Sequence, residues 1–173
     1  LNVTFYRSGQ LYQTSTVSYS ATVGTLNSFS VTADSNFVQT FGQAMFSLES
    51  VLFFPAGSRI TVSYPISVSA SNLVSSSVTR CSLNGTIRTG VTYAISDNQI
   101  IFSNLFSSNF KGTVILIIPS FTNPPTTQPS VYNLAVSDSA SYSVMTSSFT
   151  FTANTRSLIS NSITSSSSTV LDT

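Results

Sequence analysis

The chain has 173 residues, a net charge of +1, no histidine and 6% Asp, Glu, Lys and Arg, against about 25% in soluble domains. So little charge offers no basic face to a nucleic-acid backbone, and without histidine no Ser-His-Asp, Cys-His or His-based metal site can form. No apolar run approaches the roughly 18 residues of a membrane span, so no segment is expected to cross a bilayer.

Taken in order, Val3-Thr4-Phe5-Tyr6, a turn at Gly9 and residues 14–19 read as two short strands. Residues 26–31 follow Gly24 as a strand and end in the turn formers Asp34-Ser35-Asn36. Ala44, Phe46 and Leu48 alternate with Met45 and Ser47. Beyond Pro55-Ala56-Gly57-Ser58, Ile60, Val62 and Tyr64 alternate until Pro65, so the pair has the pattern of a hairpin with a longer loop. Residues 67–77 are Ser-rich and weakly patterned, a connection between sheets. Residues 78–83 read as a short edge strand closed by Asn84-Gly85. Val91, Tyr93 and Ile95, the turn Ser96-Asp97-Asn98, then Ile100 and Phe102 give the clearest tight hairpin. The aromatics of residues 105–110 cap one end of the core.

Gly112-Thr113-Val114-Ile115-Leu116-Ile117-Ile118 is the one unbroken apolar run, bounded by Gly and Pro, and reads as a central strand buried on both faces. After the Pro-rich bend at 122–129, residues 131–136, 142–145 and 149–153 complete the strands. The tail carries Ser165-Ser166-Ser167-Ser168 and reads as a linker or an O-glycan acceptor. No apolar period of 3.6 persists, so no helix is expected. Phe 13 and Tyr 7 separate this Ser/Thr-rich chain from disordered ones. The fold class is all-β, an antiparallel Ig-like β-sandwich with extra terminal strands that pair with neighbouring domains or subunits.

The start of the chain maps onto its end. Leu1-Asn2-Val3-Thr4-Phe5 falls on Tyr132-Asn133-Leu134-Ala135-Val136, and Val17-Ser18-Tyr19-Ser20-Ala21 on Phe149-Thr150-Phe151-Thr152-Ala153. Leu26-Asn27-Ser28 then meets Leu158-Ile159-Ser160, and Ser30-Val31-Thr32 meets Ser162-Ile163-Thr164. Shared composition produces such matches too. A real repeat divides the chain into 1–21, closing strands of a preceding unit or exchanged strands; 25–153, a complete sandwich; and 154–173, an opening strand or linker. Unpaired strands of this kind want a partner, either an adjacent repeat or another copy of the chain.

Gly24-Thr25-Leu26 leading to Ser30-Val31-Thr32, Phe54-Pro55-Ala56-Gly57-Ser58-Arg59-Ile60, Cys81 in a strand, and Gly112-Thr113-Val114 running to Phe121-Thr122-Asn123-Pro124-Pro125 carry a resemblance. The chain resembles the tandem β-sandwich repeats of very large secreted or surface proteins of single-celled eukaryotes. That resemblance implies a structural or adhesive extracellular role and brings no catalytic residues.

The five acids, Asp34, Glu49, Asp97, Asp138 and Asp172, are scattered, so no dedicated calcium site or other cofactor is expected. Glu49 with Asp97 or Asp138 is the one carboxylate pair to weigh for glycosidase chemistry, and capping of turns is the ordinary role of such Asp residues. The chain is expected to be no enzyme. Cys81 stands alone and forms no intramolecular disulfide. Asn84-Gly85-Thr86 and Asn2-Val3-Thr4 are N-glycosylation sequons, Asn84 lying in an exposed turn. Tyr6, Tyr12, Tyr64 and Tyr132 are candidates for stacking on sugars, with Tyr64 and Tyr132 foremost, or for ordinary half-buried packing. Two functions follow: a structural module of an extracellular fibre, filament or surface coat that joins copies of itself, and an adhesive or glycan-binding module.

Overall fold

The computed structural model describes residues 2–16, 21–68 and 80–156, and every regular element within them is a strand. In chain order these are β1 (Asn2–Arg7), β2 (Gln10–Thr16), β3 (Gly24–Thr25), β4 (Ser28–Ala33) and β5 (Phe41–Phe54). Then come β6 (Arg59–Ser63), β7 (Arg80–Leu83), β8 (Thr86–Arg88), β9 (Thr92–Ser96) and β10 (Gln99–Ser103). The last are β11 (Phe110–Thr122), β12 (Ser130–Ser137) and β13 (Ser143–Phe151). Residues 17–20, which end the second expected strand and carry the match to β13, most of the 67–77 connection, and all of the expected 154–173 segment beyond residue 156 lie outside the described residues.

Two sheets face each other. One is six-stranded in the order β3-β13-β12-β6-β10-β9, the other five-stranded in the order β4-β5-β11-β7-β8. The chain crosses repeatedly from one sheet to the other, among other places between β5 and β6 and between β11 and β12, as in an Ig-like sandwich. Strand alternation drives this packing. Phe46 and Leu48 of β5 and Val114, Leu116 and Ile118 of β11 turn inward from one sheet, and Ile60, Val62, Ile100, Phe102, Leu134 and Val136 from the other. Each side chain so buried contributes about 1.5–3 kcal/mol. A stack of Phe54 on Phe106, centroids 5.1 Å apart, closes one end as the aromatics of 105–110 led us to expect.

The two flanks differ. On one, the chain pairs first with the six-stranded sheet, β3 running parallel to β13, then crosses at Leu26-Asn27 to pair as β4 with β5. Phe29 meets Phe149 edge-on across the gap, which seals that side. On the other flank the sheets end in β8 and β9, which do not pair with each other.

Several expectations need correction. β5 and β6 are not a hairpin. Both edges of β5 are already taken by β4 and β11, so the chain leaves through a turn fixed by Ser58 N–H donating to Pro55 O (3.1 Å) and crosses to the opposite sheet. The central strand β11 is buried on one face only: Ile115 and Ile117 lie on the outer face, half-covered by neighbours on β5 and β7. β7 is an inner strand, because Asn84-Gly85 turns the chain back into β8, the true edge. Residues 142–153 hold one strand, β13, rather than two.

Candidate functional site

Tyr64 and Tyr132, the foremost sugar-stacking candidates, are core residues. Their exposure is 7% and 1%, and both rings pack around Phe121 at 5.8 and 6.3 Å. Tyr132 also meets Phe46 at 6.3 Å. Neither ring has a face to offer a sugar, and burial raises both phenol pKa values above the ordinary 10.0. Alternation explains the placement: on β12, Tyr132 shares its phase with Leu134 and Val136. The side chains of Tyr6 and Tyr12 fall outside the described residues.

Asn84 sits in the β7–β8 turn at φ 47, ahead of Gly85 at φ 80, the left-handed pair such a two-residue turn requires. Its side chain accepts from Thr113 N–H at 2.8 Å and fills the space a Cβ on Gly112 would occupy. The amide is therefore held against β11 although the residue is exposed. Asn2 lies in β1, with its side chain outside the described residues. Cys81 is buried in β7 beside Leu116, and burial, opposed by Arg88, pushes its thiol up to about 11.

The carboxylates weighed for catalysis are kept apart. Asp97 lies in the β9–β10 turn beside the Ser63 end of β6; Asp138 follows β12 beside the Arg59 end. Glu49 points outward from the other sheet. Asp138 instead holds its own turn, accepting from Ala140 and Tyr142 N–H at 2.9 Å each. Among the described residues no three His, Cys, Asp or Glu side chains gather to hold a metal. No helix there is long and apolar enough to cross a membrane.

What the fold does place together are two poles and a separate hairpin. At the proximal pole, Gly24 pairs with Met145 beneath Leu52. There β5 bulges outward against β11, exposing Val51, Leu52 and Phe53 next to Val23. At the distal pole, Phe37 bridges Asn154 in parallel; Val38 N–H donates to Asn154 O (2.9 Å) and Asn154 N–H to Asn36 O (2.7 Å). Asn123 is buried there and donates to the carbonyls of Ser35 and Phe37, and Arg156 Nη2 donates to Thr40 Oγ1 at 2.9 Å. The sequence marks Asn123 only by the prolines behind it. Residues 24–37 thus run alongside 145–154, so the chain enters the sandwich at one pole and leaves it at the other, roughly 30 Å away. β1 and β2, joined through Ser8-Gly9, form a two-stranded sheet of their own, separate from the two larger sheets.

The outer face of the six-stranded sheet is concave. An open groove of about 580 Å³ crosses the outer face of the six-stranded sheet, lined by Thr25, Ser63, Asn133, Thr146 and Ser148. Leu134 and Ala135 line it too, so it offers hydroxyls, one side-chain amide and apolar surface but no charge.

No family model and no curated protein matches the chain. Among solved structures it is similar to BslA, a bacterial hydrophobin, at 12% identity and a TM-score of 0.47, covering 74% of this chain and 96% of that one. It is similar to BcpA, the major pilin subunit of Bacillus cereus, at 10% identity and a TM-score of 0.44, covering 88% of this chain but 47% of that pilin. A non-cellulosomal cohesin from Archaeoglobus fulgidus matches at 14% identity and a TM-score of 0.39, over 75% of this chain and 91% of the cohesin. Likeness at this level is a likeness of sandwiches, and sandwiches host many unrelated functions.

Proposed function

We propose that the chain is a non-enzymatic structural module of an extracellular fibre, filament or surface coat, in which successive units join by strand pairing. The observation that carries this is the β1–β2 hairpin. Its first strand holds residues whose sequence matches β12, yet the hairpin belongs to neither sheet of the sandwich. A two-stranded ribbon by itself is marginally stable in water, so it gains from joining another sheet. Chain entrance and exit at opposite poles suit units placed end to end, as the division into 1–21, 25–153 and 154–173 requires. Depleted charge removes the repulsion that would keep copies apart. The extracellular or cell-surface setting rests on the Ser/Thr-rich, charge-poor composition. In this reading Asn84 and Asn2 are glycan acceptors, with Asn84 modified before folding closes it onto β11. Negative-stain microscopy across a concentration series tests the proposal: linear assemblies are expected, and a solitary compact particle at every concentration overturns it.

The uncharged groove supports a second reading, an adhesive or glycan-binding module. Glycan binding that disappears in a folded Asn133→Ala variant would favour it over the first.

A further inference from the structure

We infer that the outer edge of β9 receives β1 of a second copy, extending the six-stranded sheet by the whole β1–β2 hairpin. This rests on the strand-pairing reading above and names the edge and the strand it uses.

The edge identifies itself by elimination. β4 is sealed against β13 through Phe29 and Phe149. β3 is 2 residues long. β8 is 3 residues long and ends in Arg88, whose guanidinium is tied to Leu105 O (3.4 Å) and Ser107 Oγ (3.1 Å). Short or charged edges of this kind resist added strands. β9 is 5 residues, Thr92-Tyr93-Ala94-Ile95-Ser96, with no charge and no proline.

The hydrogen-bond phase is fixed as well. Ser96 and Gln99 flank a two-residue turn and so exchange both hydrogen bonds. By alternation Ala94 and Thr92 also bond to β10, while Tyr93 and Ile95 turn N–H and C=O to the open side. Arg7 lies opposite Gln10 across Ser8-Gly9, and the bulge beyond Tyr6 puts its extra residue, Tyr12, on β2, so alternation runs unbroken along β1 and turns the backbone of Thr4 and Tyr6 away from β2. Antiparallel addition sets Thr4 opposite Ile95 and Tyr6 opposite Tyr93, so both free pairs on β9 are met. The added hairpin continues the antiparallel order of β6, β10 and β9 without a break.

The test uses the full chain. Proline at 95 removes an outward N–H and keeps the β10 ladder, so Ile95→Pro should melt close to the parent; Ala94→Pro, which loses a ladder bond, should not. By sedimentation velocity across a concentration series, the parent associates and Ile95→Pro and Thr4→Pro stay monomeric. If Thr4→Pro is monomeric but folded Ile95→Pro associates like the parent, the β9 assignment falls and strand pairing stands. If both variants associate like the parent, or the parent never associates, both fall. Mixing a Thr4→Cys chain with an Ile95→Cys chain reads the contact directly, because paired Cα atoms about 5.5 Å apart lie within disulfide reach. A mixed disulfide dimer is expected under mild oxidation, and its absence overturns the β9 assignment even where a proline variant fails to fold.

Discussion

Asn84 grips Thr113 twice: its backbone N–H donates to Thr113 O at 2.8 Å, and its side-chain Oδ1 accepts from Thr113 N–H at 2.8 Å. The turn of one hairpin is thereby pinned to the central strand where Gly112, at φ 132, brings the backbone close. A Cβ at Gly112 would meet the Asn84 amide and strain the backbone, so Gly112→Ala should cost about 2–4 kcal/mol by urea denaturation. Asn84→Ala should cost about 1–2 kcal/mol, whereas Asn84→Asp, which keeps an acceptor and tolerates positive φ, should cost less.

Tyr132→Ala empties a site between Phe46 and Phe121 and should destabilise the fold by about 3–5 kcal/mol. Tyr64→Ala should cost less, since that ring lies at the margin of the cluster and the bond it loses, from Oη to Asp97 O, is long at 3.3 Å. Denaturant midpoints should separate the two variants.

The thiol of Cys81, raised by burial from 9.0 to about 11, gives the folded state a preference for the protonated form. Its contribution is whole below pH 9 and is lost as pH rises through about 11; Tyr64 and Tyr132, raised for the same reason, act in the same direction. Unfolding midpoints should therefore fall from pH 9 upward, Cys81 accounting for a loss of about 2 kcal/mol. At neutral pH a maleimide should label Cys81 in urea and leave the native chain unmodified.

Asn123 is a buried side chain that ties the distal pole together from within. Replacing it by Ala leaves the Ser35 and Phe37 carbonyls without their donor and should cost about 2 kcal/mol. Amide exchange should quicken at residues 36–38 and 154 while the centre of β11 keeps its protection.

The parts of this fold that were legible in the sequence are those with local causes. The two-residue turns at Asp97-Asn98 and Asn84-Gly85 and the alternation of Phe46 with Leu48 each follow from a few adjacent residues. The β5–β6 crossover is different, because it depends on whether β4 and β11 already occupy both edges of β5, and those strands are distant in sequence. Tyr132 carried its answer in the pattern with Leu134 and Val136, but a tyrosine flanked by polar residues reads equally well as a surface ring. Gly24-Thr25 is too short to announce a strand, and the partners of Asn123 lie far back along the chain. Solvent-facing sites made of backbone, such as the edge of β9, leave no residue signature beyond the absence of charge.

The parallel course of residues 24–37 beside 145–154 has a mechanical corollary. Were many units strung in series, tension would travel up a single seam, from the Gly24–Met145 contact to the Phe37–Asn154 contact. The flank bearing β8 and β9 lies off that seam, so load arriving through a strand added to β9 would have to cross the six-stranded sheet, by way of β10, β6 and β12, to reach it.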